Sequence, residues 1–201
     1  MNPRLRHSFD HDAELWHVYD YAACGAAGHD VYRAPAWEPR GGVWDSGHIR
    51  ADDAQWSIDT PEDPESVLAL LTWRQWYYRG PLDLRGAELS VFLRGDGLDL
   101  KGGRCLFWVM SRSLSTRWHC TAHPMSIAAG SWAPEPERLR LVADPSRWHR
   151  SWTVPGRPIP RVDDGLAAVD SYGFSFVGFS AKPTGRFAMD EFELRLAALS
   201  S

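Results

Sequence analysis

Between residues 88 and 94 the chain alternates strictly, with Leu89, Val91 and Leu93 set between Glu88, Ser90, Phe92 and Arg94. A period of two puts one set on each face of a strand. Residues 105–110 and 172–179 are apolar at almost every position, the pattern of strands buried on both faces. Residues 116–121 and 139–142 read as shorter strands, as do residues 67–73, which Arg74-Gln75-Trp76-Tyr77-Tyr78 continue as far as Gly80-Pro81. Gly95-Asp96-Gly97 and Lys182-Pro183-Thr184-Gly185 have the composition of turns. Asp144-Pro145-Ser146-Arg147 reads as an Asp-led turn or a single helical turn. No segment carries an amphipathic helical stripe longer than about two turns. The pattern predicts an all-β chain.

The last strand holds one irregularity. Phe187 and Met189 share a face, but beyond Asp190 the apolar positions move to Phe192, Leu194 and Leu196. A parity change inside one strand implies a β-bulge, and a bulge re-aims side chains, so Asp190 can turn toward a loop or a bound cation. This ending is Phe187-Ala188-Met189-Asp190-Glu191-Phe192-Glu193-Leu194. Together with Phe9-Asp10 and Trp16 near the start, it resembles the β-sandwich carbohydrate-binding modules and galactose-binding-like jelly rolls. Those proteins pair a first strand carrying Phe-Glu or Phe-Asp near a final strand of the type aromatic-x-Ile-Asp-x-Ile-x-Leu. The resemblance implies an antiparallel β-sandwich of jelly-roll type. It also implies a carbohydrate or polyol ligand and a structural Ca²⁺ near the first and last strands, with Asp10, Asp12 and Asp190 as the matching acids. Asp10 stands where the family usually has Glu, which shortens its reach.

The length of 201 residues suits one sandwich domain over residues 1–201, and 44% hydrophobic with 24% charged residues is ordinary for a globular chain. All but Lys101 and Lys182 of the 22 basic residues are Arg, and the net charge is −4. The arginines form no basic stripe, which argues against nucleic acid and against a membrane surface. No apolar run reaches the ~20 residues needed to span a bilayer. The N-terminus shows no apolar signal-peptide segment. Cys24, Cys105 and Cys120 are odd in number and widely spaced, which suits buried thiols in a reducing compartment. A cytoplasmic protein is the expectation.

Eleven tryptophans are the chain's chief chemical feature. An exposed indole stacks on the C–H face of a sugar ring while neighbouring polar groups bond its hydroxyls. Core packing accounts for most tryptophans, yet a core has little room for eleven. The candidate groove centres on Arg117-Trp118-His119, with Arg94, Trp108 and Trp76 as neighbours across adjacent strands. Either Arg117 and His119 face outward with Trp108 or Trp76 as platform, or Trp118 faces outward and the roles exchange. A one-residue register shift reverses the faces, so the sequence leaves both open. His119-Cys120-x-x-His123 has metal-ligand types, but His119 and His123 on one strand stand too far apart to share an ion. Scattered acids leave a jelly-roll glycoside hydrolase or lyase as the second reading, although no Gly-x-Ser-x-Gly elbow or phosphate loop is present. A protein-interaction subunit using the aromatics is the third. The first reading is a binding domain without chemistry of its own.

Overall fold

A computed structural model describes residues 3–19, 27–28, 31–51, 72–76, 80–181 and 183–198, with 72–76 described by their backbone. Two mixed-length sheets face each other. Sheet I runs β10 (Ala128–Ala129), β7 (Glu88–Asp99), β14 (Thr184–Arg195), β5 (His48–Ala51) and β4 (Ala36–Glu38), with β1 (Arg4–His7) also on β14 and β11 (Glu137–Arg140) also on β7. Sheet II runs β12 (Trp148–Thr153), β9 (Thr116–Cys120), β8 (Arg104–Ser111), β13 (Ser171–Val177), β6 (Thr72–Trp76), β2 (Trp16–Tyr19) and β3 (Tyr32–Arg33). The pairings are antiparallel except that of β10 with β7. A six-residue helix, α1 (Val162–Ala167), packs on β8 and β9. Residues 67–71 of the expected strand over 67–73 lie outside the described residues, as does Cys24. Cys105 and Cys120 are buried free thiols.

The parity change in β14 is a bulge. The register with β7 shifts between Asp190 and Glu193, and Glu191 takes a left-handed φ of 47°. Its effect is on the core. Phe192 turns inward, stacks on Tyr172 of the facing sheet at 5.4 Å and 3°, and meets the edge of Trp16 at 5.0 Å. Both partners are at most 1% exposed, and burying an aromatic of this size stabilises by about 1.5–3 kcal/mol. Leu89, Val91 and Leu93 face the same core, joined by Phe107, Phe174, Phe176 and Phe187.

The expected turn at Gly95-Asp96-Gly97 is instead part of β7, which continues to Asp99. Gly95 and Asp96 pair with Phe187 and Arg186 of β14, and Gly95 also pairs with Ala129 of β10. Glycine serves a close approach there: a Cβ on Gly185, which has φ +89°, would overlap the Gly97 carbonyl. The chain reverses later, at Leu100 to Gly103, where Lys101 and Gly102 both have positive φ and Gly103 N–H donates to the Leu100 carbonyl at 2.9 Å. That reversal carries the chain from sheet I to sheet II. Consecutive strands β7 and β8 therefore belong to opposite layers.

Candidate functional site

The outer face of sheet II gathers three of the expected residues. Trp108 lies opposite His119, and Met110 opposite Arg117, so Trp108, Arg117 and His119 share a face. Gly173 and Ser171 of β13 continue these two rows, opposite Trp108 and Met110. On the other side, His149 of β12 lies opposite His119. A register shift between Arg150 and Trp152 then sets Trp152 opposite Arg117. Trp148 and Trp152 would share a face on a regular strand; the shift sends Trp148 into the core and leaves Trp152 42% exposed on the outside.

The polar groups of this face are tightly arranged. Arg117 is half-buried, its Nε donates to Ser151 Oγ at 3.2 Å, and its guanidinium carbon is 6.0 Å from the Trp108 ring centre. His119 is 2% exposed and its Nδ1 is 3.0 Å from Ser175 Oγ. Its Nε2 is buried with no partner among the described residues, and so is the Ser171 hydroxyl. Burial first, then the neighbouring Arg117 and His149, hold the His119 imidazole neutral, well below its ordinary titration range. A neutral ring offers one donor and one acceptor. With Nδ1 engaged by Ser175, Nε2 stays buried and without a partner among the described residues whichever tautomer is present. An orphaned buried polar atom is uncommon in a folded protein.

Of the remaining candidates, Trp76 belongs to the same rows by register, and Trp118 and Arg94 do not. Trp118 faces inward, packs against the core, and meets α1 so closely that a Cβ on Gly165 would stand 3.0 Å from its ring. Of the two arrangements open in the sequence, the structure has Arg117 and His119 outward. Trp76 ends β6 opposite Ser171; its side chain lies outside the described residues. Arg94 does not join this face, because β7 is in sheet I. It lies 4.5 Å over the Trp132 ring and donates to the Gly41 carbonyl at 3.0 Å and to Asp96 at 3.1 Å. Cys120 belongs to the core cluster while His119 faces outward, so the pair is not set to share a metal. Trp152 reaches this face through the bulge in β12, an irregularity with no signal in the sequence.

Asp190, Asp10 and Asp12 do not converge. Asp190 is fully buried, and Oδ2 accepts from Val43 N–H at 2.7 Å and Ser46 Oγ at 3.0 Å while Oδ1 accepts from Glu191 N–H at 2.7 Å. Asp12 accepts from Glu14 N–H at 2.6 Å, and Asp10 is exposed. Ca²⁺ takes six to eight oxygen ligands with free lone pairs, whereas both Asp190 oxygens and one Asp12 oxygen already face N–H or O–H donors. Among the described residues no three His, Cys, Asp or Glu side chains gather. The donor set as placed does not fit the ion. Burial pushes the Asp190 carboxyl up to about 7, against the opposing pull of the Val43 and Ser46 hydrogen bonds.

No protein-family model and no curated protein matches the sequence. Solved structures do. The chain is similar to the CBM22-1–GH10 modules of endo-1,4-β-D-xylanase 10B from Clostridium thermocellum, complexed with xylohexaose, at TM-score 0.52 and 10% identity over 98% of this chain and 29% of that one. It is similar to the xylan-binding module CBM15 at TM-score 0.51 and 10% identity over 98% of both chains. The L4b domain of human laminin alpha-2 gives TM-score 0.50 and 13% identity, covering 98% of this chain and 99% of that one. At such identities the likeness is one of fold. This chain is an antiparallel jelly-roll β-sandwich of the architecture found in carbohydrate-binding modules, and it spans under a third of the xylanase chain.

Proposed function

We propose that the domain binds a carbohydrate or related polyol on the outer face of sheet II and performs no chemistry on it. The observation that carries this reading is the exposed Trp152 indole opposite the half-buried Arg117, with the unpartnered Nε2 of His119 buried behind them. A hydroxyl-rich ring offers acceptors to Arg117 and a C–H face to the Trp152 indole. Two of the fold neighbours name xylan or a xylo-oligosaccharide as what they bind, so β-1,4-xylo-oligosaccharides are the first ligands to try. Trp108, His119, Ser171 and Ser175 lie buried in these rows, and the accessible groups beside them are Arg117, His149, Ser151 and the Trp152 indole, a set suited to holding a sugar and not to the paired-carboxyl chemistry of a glycosidase.

Glycan-array screening followed by titration tests the reading. Arg117→Ala should weaken any hit by about ten- to a hundredfold, the value of a charged donor at ~1.5–3 kcal/mol. Unchanged affinity in both Arg117→Ala and His119→Ala, with folding intact, would move the site off this face. Release of shortened oligosaccharides during incubation would replace binding with hydrolysis.

A further inference from the structure

Strand β11 leaves one edge of sheet I open. Among the described residues it pairs with β7 alone, with Arg138 opposite Ser90 and Arg140 opposite Glu88. Just past its end, Leu141 N–H donates to the Ala87 carbonyl at 2.9 Å, and the Leu141 carbonyl accepts from Gly86 N–H at 2.8 Å. Hydrogen-bonded positions alternate along an antiparallel strand, so Leu139 and Glu137 also bond toward β7, and the N–H and C=O groups of Arg138 and Arg140 point the other way. An unpaired row of this kind is a template for a further strand. Pro136, which has no N–H, bounds it on one side, and the Val142 carbonyl, which accepts from Trp148 Nε1 at 2.8 Å, bounds it on the other.

The side chains of this edge carry unmatched charge. Leu139 is buried in the core, so Arg138 and Arg140 stand on the outer face, and both are exposed. The two rows continue through Ser90 and Glu193 to Arg6, and through Glu88 and Arg195 to Arg4. On β14 and β1 the charges are matched: Arg6 makes two 2.8 Å hydrogen bonds to Glu191, and Arg195 donates to Glu193 at 3.0 Å. Arg138 and Arg140 form no ion pair among the described residues. Arg138 faces the uncharged Ser90, and a hollow of about 180 Å³ lies between the two arginines and the β14 pair Glu193 and Arg195.

That charge selects the occupant. A second copy of the chain adding antiparallel and centred on Leu139 would set Arg138 against Arg140 twice, and like charges directly opposite are destabilising. A segment with Asp or Glu at alternate positions would instead meet both guanidiniums on the outer face, with its intervening side chain turned to the side of Leu139. We infer that β11 is a docking edge for an extended acidic protein segment, which adds to sheet I as an antiparallel strand and sets two carboxylates opposite Arg138 and Arg140. The backbone of these two residues supplies the strand pairing, while their guanidiniums set the register and exclude basic or self-pairing strands. Sheet II takes no part, so the dock stands whether or not that face holds a saccharide.

A capped peptide of alternating Glu and Val, added to the whole chain, tests the inference, with an alternating Lys and Val peptide as control and ¹⁵N–¹H spectra as the readout. The Arg138 and Arg140 amide signals should shift saturably with the acidic peptide only, and their hydrogen exchange should slow several-fold as they enter a ladder. Arg138→Gln combined with Arg140→Gln should weaken the titration several-fold, and Arg138→Glu combined with Arg140→Glu should reverse the preference toward the Lys and Val peptide. No saturable shift, or an equal response to both peptides, overturns the dock. Saturation without slowed exchange at these two amides overturns strand addition, and saturation unchanged in the Gln pair moves the contact off β11. Heparin shifting the same amides where the acidic peptide does not would make the patch a surface for a polyanionic glycan and overturn a protein partner.

Discussion

Asp190 on β14 accepts a 2.7 Å hydrogen bond from Val43 N–H, 147 positions earlier in the chain. This contact fixes the loop that displays Trp44 to the bulge that turns Phe192 into the core. Loop and core are thus coupled through one buried carboxyl, and its titration should be visible in stability. The folded carboxyl is pushed up to about 7 from 3.8, so its contribution is fully present below the unfolded value and is lost as pH rises through the folded one. Urea midpoints of the wild type and Asp190→Asn, measured from about pH 5 to about pH 8, isolate the group from other titrations. The wild-type advantage should shrink as pH rises. A constant difference would mean the carboxyl is ionised throughout.

Gly42 is the close-approach point of the same loop. A Cβ there would stand 2.5 Å from Asp190 Oδ2, 2.7 Å from the Ser46 carbonyl and 2.8 Å from that of Gly47. Two of those neighbours are backbone, so they cannot swing aside. Gly42→Ala should lower stability by about 1–3 kcal/mol, the usual cost of overpacking, and thermal unfolding measures it. A shift near zero would show that the loop can move off Asp190.

The bulge in β14 was readable because a strand has period two, and a change of apolar parity at Asp190 has no other simple cause. Burial on both faces of residues 172–177 was equally plain, since sandwich cores demand continuous apolar runs. The site was less legible. Arg94 and Trp108 look like cross-strand neighbours because β7 and β8 are consecutive, yet the reversal at Lys101-Gly102 sends them to different layers. Whether Arg117 or Trp118 faces outward depends on register with β8, and register depends on partners the local sequence does not name. Trp44 is one of eleven tryptophans with nothing local to single it out: its left-handed loop is held by Asp190 and Arg94, far away in sequence.

Arg94 separates the two faces experimentally. Its guanidinium covers the Trp132 ring at 4.5 Å and bonds the Gly41 carbonyl, with its side chain 16% exposed. Arg94→Ala removes a stacking contact of ~0.5–2 kcal/mol and a hydrogen bond of ~0.5–1.5 kcal/mol, so stability should fall by roughly 1–3 kcal/mol. Affinity for an oligosaccharide held on sheet II should not change. A tenfold loss of that affinity would place Arg94 in the binding face.

Added calcium should leave the melting temperature where it is. Asp190 spends both oxygens on Val43, Ser46 and Glu191 donors, and Asp12 faces the Glu14 amide. A bound ion would stabilise by mass action at concentrations above its dissociation constant. A concentration-dependent rise in melting temperature, reversed by chelator and absent in Asp190→Asn, would show that the carboxyl can exchange its donors for the ion.

Ser175 offers the most direct test of how His119 is held. Its hydroxyl is 3.0 Å from Nδ1 of a ring that is 2% exposed, and the other ring nitrogen has no partner among the described residues. Ser175→Ala leaves both nitrogens of a buried imidazole unbonded. The expected cost is about 1–3 kcal/mol of stability, read from chemical unfolding. Binding separates orientation from mere stability, because a ring freed from Ser175 no longer presents Nε2 at a fixed angle. Affinity for a saccharide bound on this face should fall in Ser175→Ala even at temperatures where the variant is fully folded, and Ser175→Thr, which keeps the hydroxyl, should recover it. A variant that loses stability but binds as the wild type does would leave Ser175 a packing residue, and His119 would then owe its orientation to Trp108 and Arg117.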